Sequence, residues 1–186
     1  MELEYALFEW INQDLANPIL DAILPLYREK TTWIPLYVLL AVLIYRDYGW
    51  QKLLYFLLLV AIVIGFVDQL AANVLKPLVG RLRPCAQTEI AESVRDLVGC
   101  GGQFSFPSNH ATNHFALAHV LALTFLRRSR LGRWLVYAWA LSISLAQVYV
   151  GKHWPLDILA GAGIGVVVAS LGVYLYRSYL GQHAIE

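Results

Sequence analysis

The sequence has little net charge and only two cysteines. The formal net charge is +1, so the clustered basic excess typical of nucleic-acid-binding proteins is missing and we expect no nucleic-acid partner. The first residues, Met-Glu-Leu-Glu, lack the basic segment and early apolar core of a secretory signal peptide, so we expect no cleavable leader. The length of 186 residues suits a single domain.

Apolar residues, in contrast, are abundant. They make up 59% of the chain, and the mean hydropathy is +0.55, above the range of about 45–50% apolar residues in soluble domains. A soluble domain of this size has too little interior to bury so many apolar side chains, which favours a membrane protein. Five stretches are apolar enough to predict membrane-spanning helices: 33–45, 53–75, 110–126, 134–149 and 156–176.

Residues 5–27 mix large apolar side chains with acidic and amide side chains. This pattern favours two amphipathic helices that lie at the membrane interface and break near Asn17-Pro18. A sixth membrane helix is the alternative. The predicted fold class is therefore all-α: a polytopic transmembrane helix bundle with about five spanning helices and N-terminal interfacial helices. We expect one domain over 1–186, with the interfacial helices in 1–30 and the helical bundle in 31–186.

A short basic turn at 127–133 predicts the topology. The positive-inside rule places this turn in the cytoplasm. Alternation then places 46–52 and the C-terminus inside, and the N-terminus, 76–109 and 151–155 outside. We expect a multi-pass protein of the inner (plasma) membrane whose polar patches face the periplasm or exterior.

Three of these outer patches contain residue types suited to phosphate chemistry. In the first, Lys76 and Arg83 form a candidate phosphate clamp, since a guanidinium fork and an ammonium both bind phosphate. Snorkelling of long side chains at the interface is the alternative. In the second, Ser108 can cap the helix that begins at His110, and the helix start offers unpaired amides to an anion. An ordinary helix cap explains the second patch equally well.

The third patch pairs a histidine with a carboxylate. Asp157 lies four residues after His153, close enough for its carboxylate to accept a proton from the imidazole and fix its tautomer. A structural His–Asp pair is the alternative. All three patches share one membrane face under the predicted topology, which favours a common site over three separate structural features.

The combined pattern resembles the type-2 phosphatidic acid phosphatase superfamily. Residues 76–84 match its Lys-x6-Arg-Pro element, 107–110 resemble its Pro-Ser-Gly-His element with Asn109 in place of glycine, and 147–157 resemble its Ser-Arg-x5-His-x3-Asp element. The resemblance implies a small membrane lipid phosphatase that needs no metal or other cofactor. The expected substrate is a phosphate or diphosphate monoester of an envelope lipid: polyprenyl diphosphate, phosphatidylglycerol phosphate, phosphatidic acid or lipid A.

The resemblance also implies residue roles. His153 is expected to attack phosphorus and form a phosphohistidine, Asp157 to orient it, and His110 to protonate the leaving oxygen and later activate water. The groups expected to bind the phosphoryl oxygens are Lys76, Arg83, Ser108, Asn109 and Gln147. Such fixed donors stabilise the charge of the transition state.

One position departs from the family pattern. The Ser-Arg pair corresponds here to Ala146-Gln147, so a guanidinium is missing, and loss of such a donor costs about 2.7–4 kcal/mol. Natural tuning, compensation by Arg81 or Arg95, and impaired turnover are three explanations. A lipid phosphotransferase and a lipid-binding homologue with poor turnover therefore remain alternative functions.

Three further features carry predictions. Cys85 and Cys100 bracket one polar loop, which suggests a disulfide. His110 and His114 have a spacing that zinc sites use, but no glutamate lies between them, and we expect no metal. Asp68 lies on the same helical face as Lys76 and is expected to support the site through hydrogen bonds. Residues 89–98 are expected to form a short helix.

Overall fold

Helices make up the regular structure in the computed structural model, which describes residues 2–180. Within that range there is no β-strand, only an isolated bridge between Leu82 and Phe104. The helices are α1 (Glu2–Glu9), α2 (Pro18–Tyr27), α3 (Ile34–Gln69), α4 (Lys76–Val79), α5 (Asn109–Leu123), α6 (Arg130–Tyr149) and α7 (Pro155–Leu180). Wider turns extend α1 over Trp10–Asp14 and join α3 to α4 over Leu70–Leu75. The all-α prediction is confirmed.

The long helix α3 consists of two halves. Gly49 interrupts it with φ 83° and ψ 170°, a backbone conformation that glycine adopts without steric cost. The halves lie side by side, because Tyr37 and Ala41 of the first half line the same cavity as Leu57 and Val60 of the second. The two halves correspond to the predicted segments 33–45 and 53–75.

The surface of the bundle is strongly apolar. Two helical stretches, Lys30–Val79 and Pro155–Tyr179, are long and apolar enough to cross a membrane. Large side chains such as Ile62, Val167 and Leu171 are exposed on them. An exposed apolar surface of this extent is typical of a protein that is surrounded by lipid. The chain therefore has a membrane location.

Helix α5 is the central helix, and α7 packs closely against it. Small residues allow this approach: a Cβ added to Gly161 would lie 2.7 Å from the carbonyl oxygen of Ser108. Gly165 lies similarly close to the backbone at Thr112. Small residues at helix contacts let backbones approach in membrane proteins. The close contact fixes the beginning of α7 beside the beginning of α5.

The N-terminal helices cover that end of the bundle. The chain breaks at Asn17-Pro18, as predicted, and the Asn17 side chain accepts hydrogen bonds from the backbone N–H groups of Ile19 (3.1 Å) and Leu20 (3.0 Å). In α1, the ring of Phe8 packs 4.9 Å from that of Trp154. This contact holds α1 over the segment that precedes α7.

The polar loop between α4 and α5 corrects one prediction. Residues 89–98 form turns and bends rather than a helix. The reason is tertiary: the Arg95 N–H donates to the side-chain oxygen of Asn12 (3.0 Å), and the Asn12 amide donates to the Arg95 carbonyl (3.0 Å). The backbone groups at Arg95 therefore bond to the N-terminal segment instead of to a helix. Within the loop, Cys85 and Cys100 form a disulfide.

Candidate active site

A cluster of polar side chains occupies the end of the bundle where α5 and α7 begin. At its centre, His153 precedes α7 and Asp157 lies in the first turn of that helix. The imidazole Nδ1 of His153 lies 3.4 Å from Oδ2 of Asp157, and it has no hydrogen-bond partner in the described part of the chain. The two groups are adjacent without forming a hydrogen bond in this geometry; catalytic contacts of this kind often tighten only when substrate binds.

Asp157 is fixed from two other sides. Its Oδ2 accepts a hydrogen bond from the Trp154 N–H (2.8 Å), and its Oδ1 accepts one from Arg81 (3.0 Å). Arg81 also pairs with Glu4 of α1 at 2.7 Å, and Glu4 accepts from the Leu156 N–H at 3.1 Å. The fully buried carboxylate of Asp157 is therefore held in one position by these hydrogen bonds.

Burial controls the protonation of His153. The side chain is almost completely enclosed, and this burial lowers the pKa of His153 to about 4, against the effect of Asp157, which raises it. The cations Lys76 and Arg83 lower it further. At neutral pH the imidazole is therefore unprotonated, which is the form that can act as a nucleophile.

The beginning of α5 lies directly against this pair. Ser108 caps α5, because its hydroxyl accepts from the Ala111 N–H at 3.5 Å, and its own N–H donates to the Asp157 carbonyl at 3.1 Å. His110 lies in the first turn of α5, two residues after Ser108. The second and third sequence patches therefore meet at one point.

The side-chain amide of Asn109 has a structural partner. It donates to Oδ1 of Asp68 at 2.9 Å, and the amide of Asn113 donates to the same oxygen at 2.8 Å. Asp68 is thus a hydrogen-bonded support beneath the start of α5. The group of Asn109 that can reach an anion is the backbone N–H at the helix start.

Two cations of the first patch are held in place by backbone carbonyls. The Lys76 ammonium donates to the carbonyls of Ser105 (3.1 Å) and Pro107 (2.8 Å). Arg83 donates from Nε to Phe104 (3.1 Å) and from Nη1 to Cys100 (3.0 Å). Among the described residues, their hydrogen-bond partners are neutral carbonyls, and neither side chain forms an ion pair with a carboxylate.

The loop also places Lys152 among these cations. This lysine is 6% exposed and donates to the carbonyl of Gly99. Burial, and then the nearby Arg83, lower the pKa of Lys152. Lys152 is not among the site residues predicted from the sequence, although its position directly before His153 indicates that it lies near the site.

The residue in place of the family arginine, Gln147, is completely buried. Neither proposed substitute reaches it: Arg81 is committed to Asp157, and Arg95 binds Asp21 with contacts of 2.6 and 2.5 Å. Instead, Nε of Arg28 donates to the side-chain oxygen of Gln147 at 3.1 Å. The sequence contains no local signal for this contact, since the two residues lie 119 positions apart.

An apolar cavity of about 460 Å³ opens beside the cluster. Its polar end is formed by Lys30, Asp68 and His110, and its apolar part by side chains of α3 and α5 such as Phe56 and Leu117. A cavity with one polar end and an apolar body matches a lipid with a charged head group.

The metal-binding alternatives are weak in this geometry. His114 lies one turn after His110 with its ring stacked at 6.2 Å, and its Nδ1 lies 2.7 Å from the His110 carbonyl. Cys85, Asp96 and Cys100 approach one another, but both sulfurs are joined in the disulfide and are not thiolate ligands. The described donor sets do not fit a metal centre.

A helical bundle with a His–Asp pair among fixed cations and a lipid-sized cavity is the arrangement of a membrane phosphatase. The PAP2 superfamily matches residues 52–181, and the chain belongs to this family. The predicted family resemblance is confirmed.

Two relatives are named lipid A 4'-phosphatase. The protein from Bacteroides thetaiotaomicron is 36% identical over 154 residues, which cover 80% of this chain and 66% of that protein. The protein from Porphyromonas gingivalis is 26% identical over 181 residues, which cover 97% of this chain and 74% of that protein.

The fold is also similar to that of a solved structure. The crystal structure of a transmembrane PAP2-type phosphatidylglycerolphosphate phosphatase from Bacillus subtilis superposes with a TM-score of 0.68 at 23% identity. The similarity covers 96% of this chain and 86% of that one. This likeness establishes the helical architecture of the family for the present chain.

Proposed function

We propose that this chain is a membrane phosphatase that hydrolyses a phosphate ester of an envelope lipid through a phosphohistidine. The observation that carries the proposal is the position of His153, which lies 3.4 Å from the buried Asp157 at the end of the bundle that also contains Lys76 and Arg83. Such an arrangement combines a nucleophile, its orienting carboxylate and an anion-binding environment.

In the first step, Nε2 of His153 attacks phosphorus. Asp157 accepts a hydrogen bond from the Nδ1–H of the same ring and stabilises the developing imidazolium. The bond between phosphorus and the lipid oxygen breaks. His110 donates a proton to that oxygen. The leaving group is the lipid alcohol when the substrate is a monophosphate, and the lipid monophosphate when the substrate is a diphosphate. The position of His110 in the first turn of α5, whose cap Ser108 bonds to the Asp157 carbonyl, supports this assignment.

In the second step, water attacks the phosphohistidine. His110, now neutral, accepts a proton from the water, the P–N bond breaks, and inorganic phosphate leaves. We assign the binding of the phosphoryl oxygens to five residues: Lys76, Arg83, Ser108 and Asn109 at the start of α5, and Gln147. No step requires a metal.

The lipid is proposed to enter sideways between α3 and α5, with its chains in the apolar cavity and its phosphate at the polar end. The five-span arrangement follows if the halves of α3 and the helices α5, α6 and α7 all cross the bilayer. The interfacial helices then cover the site at the periplasmic or outer side of the inner membrane, as the basic turn at 127–133 indicates.

Lipid A carrying a phosphate monoester is the first substrate to test, because two relatives that cover most of this chain carry that activity in their names. Polyprenyl diphosphate, phosphatidylglycerol phosphate and phosphatidic acid complete the panel. The assay is phosphate release by the purified protein in detergent, with His153→Ala as the inactive variant. Release that survives His153→Ala would refute the phosphohistidine mechanism, and no release from any lipid would refute the function.

A further inference from the structure

A buried guanidinium lies next to the position where the family arginine is missing. Arg28 follows the last residue of α2, and its side chain is only 11% exposed. Its Nε donates to the Gln147 oxygen at 3.1 Å. Burial of a guanidinium is unfavourable unless other groups compensate for the lost water.

The known partners of Arg28 leave donors unused. Its Nη1 donates to Glu29 at 2.7 Å, and this carboxylate is 45% exposed. In the described part of the chain, no acceptor lies within hydrogen-bond distance of Nη2 of Arg28, and Nε2 of Gln147 is buried without a partner. Two donors on contacting side chains are therefore open to an acceptor, and one of them, Nε2 of Gln147, is buried and unsatisfied. An anion with several acceptor oxygens would satisfy both.

Arg28 also belongs electrostatically to the site. Its positive charge acts on Arg83, Lys152 and His110. Burial, and then Arg28, lower the pKa of Arg83. Cations brought together in a buried region repel one another, and a bound phosphate removes that repulsion.

We propose that Arg28 supplies to the phosphoryl group the guanidinium that the sequence lacks at position 147, and that Gln147 positions it. The contact of Arg28 with Gln147 orients the guanidinium, while the unpaired donors of both side chains face a shared acceptor. This inference rests on the proposed phosphatase function. It makes the junction between α2 and α3 part of the substrate site rather than only a cover over the bundle.

The test relocates the arginine. Purified full-length wild type, Arg28→Gln and the double variant Arg28→Gln/Gln147→Arg are compared for phosphate release from the lipids above and for binding of vanadate. Loss of one preorganised donor lowers kcat by about 10²–10³-fold, and we expect a loss of this size together with weaker vanadate binding. The double variant should recover a large part of both, because the guanidinium returns from the adjacent position. Arg46→Gln, which alters an exposed arginine at the other end of the bundle, is the matched control and should behave as wild type.

Several outcomes would overturn the inference. The first is wild-type activity in Arg28→Gln. The second is a folded double variant whose phosphate release and vanadate binding are both no better than those of Arg28→Gln. Thermal unfolding in detergent checks the fold of each variant. If Arg28→Gln does not fold, Arg28→Lys replaces it: the lysine keeps the charge but not the fork, so unchanged kcat and vanadate binding in this variant would also contradict the role. If wild type releases no phosphate from any lipid, the phosphatase function fails, while vanadate binding by the same variants still decides the role of Arg28.

Discussion

Replacement of Asp157 by asparagine separates the catalytic and structural contributions of the buried carboxylate. The carboxylate accepts from Trp154 and Arg81 and lies 3.4 Å from the imidazole of His153. Asparagine has one acceptor oxygen, so it can satisfy only one of the two donors, and its NH₂ group faces the other. One buried donor then lacks a partner, at a cost of about 1–3 kcal/mol. Because Arg81 keeps its 2.7 Å contact with Glu4, we expect a destabilisation of about 2 kcal/mol, or about 4–8 °C in Tm.

The effect on catalysis should be much larger. The amide cannot stabilise the imidazolium and favours the wrong tautomer of His153. The same change in a serine protease triad lowers kcat about 10⁴-fold, and for Asp157→Asn we expect about 10³–10⁴-fold. The measurements are initial rates of phosphate release and thermal unfolding followed by tryptophan fluorescence.

Glu4→Gln is the matched control for this change. Glu4 bonds to Arg81 and to the Leu156 N–H, so the substitution removes a similar ion pair without touching the histidine. It should lower Tm by a similar amount and leave kcat close to that of wild type. Equal losses of kcat in Asp157→Asn and Glu4→Gln would refute a direct role of the carboxylate at His153.

Four further predictions address the site and its supports. Because the pKa of His153 is lowered to about 4, the neutral nucleophile persists at low pH; kcat should hold down to about pH 5 and fall as the pH drops through about 4. Gly161→Ala places a Cβ 2.7 Å from a backbone carbonyl of α5, so it should lower both activity and stability, the latter by about 1–3 kcal/mol. Replacing Cys85 and Cys100 by serine removes a disulfide that joins residues 15 positions apart, so it should cost about 3 kcal/mol of stability. It should also raise KM, because the Cys100 carbonyl that accepts from Arg83 becomes less well fixed. EDTA should leave phosphate release intact, and vanadate should inhibit it.

Each of these experiments has a contradicting result. Loss of kcat already near the ordinary histidine pKa of about 6.5 would contradict the buried nucleophile. Gly163→Ala is the control for the glycine variant, because no other described part of the chain, apart from the neighbouring backbone of α7 itself, lies within 4 Å of the added Cβ. Equal effects at Gly161 and Gly163 would contradict the packing explanation. An unchanged Tm after loss of both cysteines would contradict stabilisation by the disulfide. Inhibition by EDTA that zinc reverses would contradict a metal-free reaction.

The features that the sequence predicted correctly are local in the chain. The apolar runs predicted the all-helical bundle, since a helix satisfies its own backbone groups in lipid. The break at Asn17-Pro18 was readable because a cap uses neighbouring residues. The spacing of His153 and Asp157 was equally readable, because four positions in sequence are one helical turn. The family followed from three short motifs, each of which is continuous in sequence.

The tertiary structure decided which distant side chains meet. It assigned Arg81 to Asp157 and Arg95 to the N-terminal segment, where the sequence offered both as substitutes for the missing arginine. It also turned the Asn109 amide toward Asp68 and brought Arg28 to Gln147 across 119 positions. The physical reason is that caps, turns and apolar runs depend on neighbours in the chain, whereas partners of a buried charge are set by how helices pack. The sequence by itself therefore determined the fold class and the family, and packing determined the partners of the charged groups around the three motifs.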